Sequence, residues 1–272
     1  MSATFKTGDG VRIAYRIDGP EAAPPLVLSN SIGTSLHMWD RDVAALARQF
    51  QVIRYDFRGH GGSDVPDGPY SLDRLGRDVV ELLDALNIER AHFIGLSLGG
   101  FVGQWLGVHA PDRIDHLVLA NTAAYLGPAS QWDAAIRRVR EAPDMREHAE
   151  AFLRNWFPPE FFETHASLVG EFRAMLLSTD RRGIAGAWAA VRDADLRRTI
   201  SLIQRPTLVI AGRYDTVTSL AHGQAIASTI PVARLIVLPT VHLSNVERGA
   251  EFTGAVTDFL ASDSLSPPAL CA

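Results

Sequence analysis

Short apolar runs alternate along this chain with longer stretches whose apolar residues recur every three or four positions. Val11 to Ile17 reads as a strand. Pro25-Leu26-Val27-Leu28-Ser29, Phe50 to Tyr55, Ala91 to Ile94 and His116 to Ala120 are short and continuously apolar, the pattern of strands buried on both faces. Between them, Trp39 to Gln49 and Ser71 to Leu86 carry helical periodicity. In the second, Leu72, Leu75, Val79, Leu82, Leu83 and Leu86 mark one face, and Ser71 is placed to cap the N-terminus. A further helix runs to about Ala110, where Pro111 stops it.

The alternation breaks after Ala124. From there to Ile203 no good strand run occurs. Trp132 to Arg140, Met145 to Phe157, His165 to Ser178 and Gly183 to Val191 all read as helices, interrupted by Pro158-Pro159. Strands return at Pro206 to Ala211 and Ala233 to Leu238, and a last helix runs from Gly249 to Leu260. The plan is βαβα, a helical insertion, then βαβα. It predicts an α/β fold: a mostly parallel sheet with helices on both faces. The expected division is a core of residues 1–124 and 204–261, a helical cap over 125–203, and a disordered tail over 262–272, where Ser, Asp and Pro-Pro collect.

A length of 272 residues suits one such domain with an insertion. Net charge of −5 leaves no basic footprint, so nucleic acid is not an expected partner. Lys6 is the only lysine, and arginine carries nearly all the positive charge. Cys271 is the only cysteine, so neither an intrachain disulfide nor a cysteine-held metal is expected. The first residues lack the apolar core of a signal peptide, and no run is long enough to span a bilayer. A cytoplasmic protein without a membrane partner is the expectation. Oligomeric state is not readable from these features.

Gly95-Leu96-Ser97-Leu98-Gly99 carries the chemistry. Between a strand and a helix, a G-x-S-x-G turn lifts the serine hydroxyl clear of the backbone, as a nucleophile requires. A serine needs a base, and the base needs an acid that fixes its tautomer. On an open parallel sheet both come from loops at the carboxyl ends of later strands, in the order serine, acid, histidine. Asp215 follows the strand ending at Ala211, and His242 follows the strand ending at Leu238. Among nine histidines, His60 also follows a strand, but it precedes Ser97 and sits among glycines, so it reads as structural. Asp193 and Asp195 are rival acids placed at the end of the helical block. Two backbone N–H groups should receive the oxyanion: that of Leu98, and one from the Ser29 to Thr34 loop, for which Ile32 is the choice. A P-loop lysine and a His-Glu metal pattern are both absent, so neither metal nor cofactor is expected.

These residues carry a resemblance. The chain resembles the α/β-hydrolase superfamily and, within it, the 3-oxoadipate enol-lactonases of the β-ketoadipate pathway. The supporting segments are Leu28-Ser29-Asn30-Ser31-Ile32-Gly33-Thr34 with Leu36 to Asp40; Arg54-Tyr55-Asp56-Phe57-Arg58-Gly59-His60-Gly61; Gly95 to Gly100 with Gly103 to Gly107; Ala120 to Ala124; and His242-Leu243-Ser244-Asn245-Val246-Glu247. The resemblance extends over residues 5–261. The glycine-flanked serine and the Arg-Gly-His-Gly loop specify only the superfamily; the first and last segments are narrower. What the resemblance implies is hydrolysis of a small anionic enol-lactone in aromatic catabolism. A carboxylesterase or another lactonase with the same three residues stands as the alternative, and a non-catalytic receptor as a third. The subgroup tends to show Trp, two residues, then Arg near the start of the cap. Here Trp132 is followed by Asp133-Ala134-Ala135, so Arg137 or Arg138 is expected to meet the substrate carboxylate. Trp132 and Trp156 are candidate walls of the pocket, or plain cap core.

Overall fold

The computed structural model describes residues 3–261; the tail 262–272, with Cys271, lies outside the described residues. Eight strands form one sheet: β1 Ala3–Lys6, β2 Arg12–Asp18, β3 Pro25–Ser29, β4 Gln51–Tyr55, β5 Ala91–Leu96, β6 Ile114–Ala120, β7 Thr207–Gly212 and β8 Ala233–Leu238. Their spatial order is β1-β2-β4-β3-β5-β6-β7-β8. The first two strands pair antiparallel and the rest are parallel. β1 escapes the sequence reading because it is a four-residue edge strand, mostly exposed, with no apolar run to betray it.

The helices are α1 Asp40–Leu46, α2 Leu72–Ala85, α3 Leu98–His109, α4 Ala129–Glu141, α5 Arg146–Trp156, α6 Phe161–Thr164, α7 Ala166–Ser178, α8 Arg181–Asp193, α9 Leu220–Thr229, α10 Ser244–Glu247 and α11 Gly249–Ala261. Alternate strand residues enter two cores. Val27, Ile53, Phe93, Leu117 and Val209 pack with Val79 of α2, Val102 of α3 and Ile226 of α9. Leu28, Val52, Ile94, Val118 and Ile210 pack with Leu46 of α1 and Val256 of α11. Both faces of the sheet are therefore covered, which is why its strands read as unbroken apolar runs. Ser71 caps α2 as expected, its hydroxyl accepting from the Arg74 N–H at 3.1 Å.

Helices α4 to α8 lie between β6 and β7, with α4 against α8 and α5 against α7. The chain enters and leaves this block side by side: Tyr125 and Asp195 form an antiparallel bridge, and the Leu196 N–H donates to the Ala124 carbonyl at 2.8 Å. A second attachment joins α8 to the loop before α2, where the Tyr70 N–H donates to the Gly186 carbonyl at 3.0 Å. Gly183 touches the Gly59 backbone so closely that no Cβ fits there.

Candidate active site

Ser97 sits between β5 and α3 with φ 58° and ψ −113°, a backbone conformation that costs an L-residue free energy. Its surroundings hold it there. The Ser97 N–H donates to the Ala120 carbonyl at 3.0 Å, and the Thr122 hydroxyl donates to the Ser97 carbonyl at 2.8 Å. A Cβ on Gly95 would strike the Gly99 carbonyl, and one on Gly99 would strike the Ser29 carbonyl. The two glycines let the turn close against itself and against β3.

His242 and Asp215 meet as the order of strands requires. The His242 Nδ1 lies 2.8 Å from Asp215 Oδ2 and donates to it, which leaves Nε2 as the acceptor of a substrate-side proton. Asp215 is over-determined. Its Oδ1 accepts the N–H groups of Val217 and Thr218 at 2.8 and 3.0 Å, and its Oδ2 accepts the Thr218 hydroxyl at 2.8 Å and the Asn121 amide at 3.0 Å. Burial alone would raise this carboxyl. The His242 charge and the bonds from His242, Asn121 and Thr218 outweigh it and hold the group well below the usual carboxylate range. The rivals Asp193 and Asp195 lie at the surface in pairs with Arg192 and Arg197.

Ile32 and Leu98 flank the serine. Among the described residues, neither N–H donates to a protein acceptor. Leu98 opens α3, where the first N–H groups have no partner within the helix. The loop holding Ile32 is fixed from below: the Gly99 N–H donates to the Asn30 carbonyl at 3.0 Å, and the Asn30 side chain bonds the Tyr55 carbonyl and the Trp39 indole, each at 2.9 Å. The Asp56-Phe57-Arg58-Gly59-His60-Gly61 run supports that loop. Asp56 accepts the Leu36 N–H at 2.6 Å and the Gly62 N–H at 2.8 Å, and Arg58 forks onto Asp78 with two bonds of 2.7 Å. His60 is buried, its Nδ1 donating to the Arg58 carbonyl, and burial pushes its pKa down to about 4. It stays neutral and structural.

Ser97, His242, Ile32 and Leu98 line one cavity of about 200 Å³. The insertion supplies most of the opposite wall, through Trp132, Phe152, Asn155, Trp156, Trp188 and Val191. Trp132 and Trp156 thus face the cavity. Arg137 and Arg138 do not: both are exposed on α4 and neither lines it. The helical pitch explains the correction. Five and six residues past Trp132, the side chains point about 140° and 120° away from it, one to each side. Val139, a full two turns on, is the buried one.

Several site residues escaped the sequence reading. Asn121 directly follows β6, and its side chain bonds three ways: its amide reaches Asp215 and the Val241 carbonyl, both at 3.0 Å, and its oxygen accepts the Ser244 hydroxyl at 2.6 Å. A polar residue just past a buried strand was the available signal. Phe152, Asn155 and Trp188 lie on helices whose inward face only packing defines. Three residues past the histidine, the Asn245 amide donates to buried Asp42 at 2.9 Å. Burial pushes the Asp42 carboxyl up to about 7, against the pull of that bond and of Arg41 and Arg54.

A serine lifted on a strand–helix turn, beside an acid-backed histidine on a parallel sheet, marks an α/β-hydrolase. The chain belongs to that family: the model described as alpha/beta hydrolase fold matches residues 24–248. Hydrolase activity follows from that membership and from the relatives. The chain is 41% identical over 250 residues to 3-oxoadipate enol-lactonase 2 of Acinetobacter baylyi, covering 92% of this chain and 93% of the relative. The solved structure of a hydrolase from Pseudomonas aeruginosa PA01 shares 60% identity and superposes with a TM-score of 0.95, covering 96% of this chain and 98% of that one. At 32% identity, over 88% of this chain and 94% of the relative, comes a putative carbamate hydrolase RutD of Pseudomonas savastanoi pv. phaseolicola. No described helix is long and apolar enough to cross a membrane.

Proposed function

We propose that this protein hydrolyses 3-oxoadipate enol-lactone to 3-oxoadipate in aromatic catabolism, with Ser97 as nucleophile, His242 as base and Asp215 as its orienting acid. The reading is carried by the 2.8 Å Asp215–His242 bond beside a cavity that Ser97 also lines, on a chain similar along its length to an enol-lactonase. Ser97 Oγ attacks the lactone carbonyl while its proton passes to His242 Nε2. The oxyanion is received by the Ile32 and Leu98 N–H groups. Collapse breaks the bond from the carbonyl carbon to the ring oxygen, and that oxygen takes the proton from His242. The product enol tautomerises to the ketone, which opposes re-closure. Water then gives a proton to His242 and attacks the acyl-enzyme; the departing Ser97 oxygen recovers that proton, and the acid is free. On this reading 125–203 acts as a cap over a core of 1–124 and 204–261.

A second reading, an esterase or lactonase for uncharged substrates, is favoured by one observation: among the described residues, no arginine or lysine lines the cavity. The test generates the enol-lactone in situ and follows its loss beside hydrolysis of 4-nitrophenyl acetate. Rapid lactone loss supports the first reading. An intact lactone beside brisk ester turnover overturns it.

A further inference from the structure

The proposed substrate carries a carboxylate, and the cavity offers it no cation. Placing that charge among Trp132, Phe152, Trp156 and Trp188 without a partner would be costly, because an ionised carboxylate moved from water into apolar surroundings loses its hydration. The polar side chains of the wall narrow the choice of orientation. Ser97 and His242 are committed to the chemistry. The Trp132 indole N–H is taken by the Leu126 carbonyl at 2.5 Å. The Trp156 and Trp188 indole N–H groups are unbonded among the described residues too, but each is a single neutral donor set within the aromatic wall, where a carboxylate would lose its hydration. Asn155 differs: it lines the cavity, its side chain makes no hydrogen bond among the described residues, and it is exposed to solvent. It therefore belongs to the mouth of the cavity, not its depth.

The chain beside it extends that mouth. Asn155, Val217 and His242 line the cavity, while their immediate neighbours Arg154, Thr216 and Val241 line an adjoining surface groove. Arg154 thus stands outside the wall, on the groove beside the mouth.

We propose that Asn155 recognises the carboxylate of the substrate, which lies at the cavity mouth and stays hydrated while the lactone ring enters ring-first towards Ser97. This rests on the enol-lactone reading. The amide N–H₂ donates to the carboxylate, the Arg154 charge attracts it through solvent, and the aromatic wall covers only the uncharged ring. Selectivity for an anion then arises at the rim, without a buried ion pair.

The test compares wild type, Asn155→Leu and Asn155→Asp on three substrates: the enol-lactone, mono-4-nitrophenyl succinate, and neutral 4-nitrophenyl acetate. Thermal melts confirm that the variants fold, as an exposed position allows. The readout is the ratio of kcat/KM on an anionic substrate to that on the neutral ester. Asn155→Leu should lower this ratio about fivefold through one lost charge-assisted hydrogen bond at a wet site. Asn155→Asp should lower it about tenfold or more, with partial recovery in high salt, because two carboxylates then share the mouth. Ratios equal in all three proteins overturn the assignment. A wild type that spares the lactone, with the ester ratios still shifting, overturns the enol-lactone reading and leaves the role of Asn155 in place.

Discussion

Beneath the floor of the cavity, Asp215 accepts hydrogen bonds from four neighbouring groups besides His242, drawn from Asn121 just past β6 and from the turn after β7. Across the cavity, Phe152, Trp156 and Trp188 meet mainly ring on ring, with Phe152 stacked on Trp188 at a centroid distance of 5.9 Å and tilted against Trp156 at 5.2 Å. Directional bonds fix an atom to a few tenths of an ångström, as proton transfer demands. Apolar packing fixes a shape and tolerates its occupant. On the proposed function, the floor sets rate and the roof sets what enters.

Substitutions can break that division, and the largest effect belongs to the serine. Ser97→Ala should lower kcat by about 10⁴-fold or more while the thermal melt stays within a few degrees; residual turnover near wild type would remove Ser97 from the chemistry. Next comes buried Asp42 with its partner Asn245, three residues past the histidine. Asp42 Oδ1 and Asn245 Oδ1 are both buried without a partner, and a proton on Asp42 would let the one donate to the other. A carboxyl raised from 3.8 to about 7 leaves stability intact below its unfolded value and withdraws it as pH rises through the folded value. Asp42→Asn should therefore stabilise the protein at pH 8, by on the order of 4 kcal/mol, with the gain vanishing towards pH 4. Melting curves across that range decide it: a gain that does not depend on pH speaks against a titrating Asp42.

A smaller effect probes the floor alone. Asn121→Leu removes one donor to Asp215 and the clamp on Val241 and Ser244. It should reduce kcat about 100-fold with KM within about twofold, as expected when a base loses its alignment; a matching rise in KM would make Asn121 merely structural. The mildest tests the roof. Trp188→Leu should raise KM about fivefold and leave kcat within about twofold, since it thins an apolar wall away from the reacting atoms. A kcat collapse there would erase the distinction between floor and roof.

The same division governs what the sequence could disclose. Pro25–Ser29 was legible to the residue, because a buried parallel strand must be apolar and must end at a polar or turn residue; Ala233–Leu238, a half-buried edge strand, was legible from its short apolar run between turn residues. Ser97, Asp215 and His242 could be singled out because each follows a strand at the same edge of the sheet. The partners of Asp215 were not legible. Asn121 lies 94 positions away along the chain, and only the register of β6 beside β7 brings it near. On the insertion, periodicity announced helices but not which face each would turn inward. Trp132 and Trp156 were nameable as bulky residues, whereas the choice of Arg137 and Arg138 followed charge and ignored the pitch of α4. Asn155 has no such mark; its significance comes from being an unbonded amide in an aromatic wall.

The backbone of Ser97 has a consequence for the history and the engineering of this protein. Glycine would occupy φ 58° without penalty, whereas serine there costs about 1–3 kcal/mol. On the proposed mechanism, the change that relieves this backbone is the one that removes the reactive hydroxyl. A thermostability screen run without a turnover requirement would reward Ser97→Gly, and relaxed selection would let the same change persist. On the proposed mechanism, only a demand for turnover would hold the serine there.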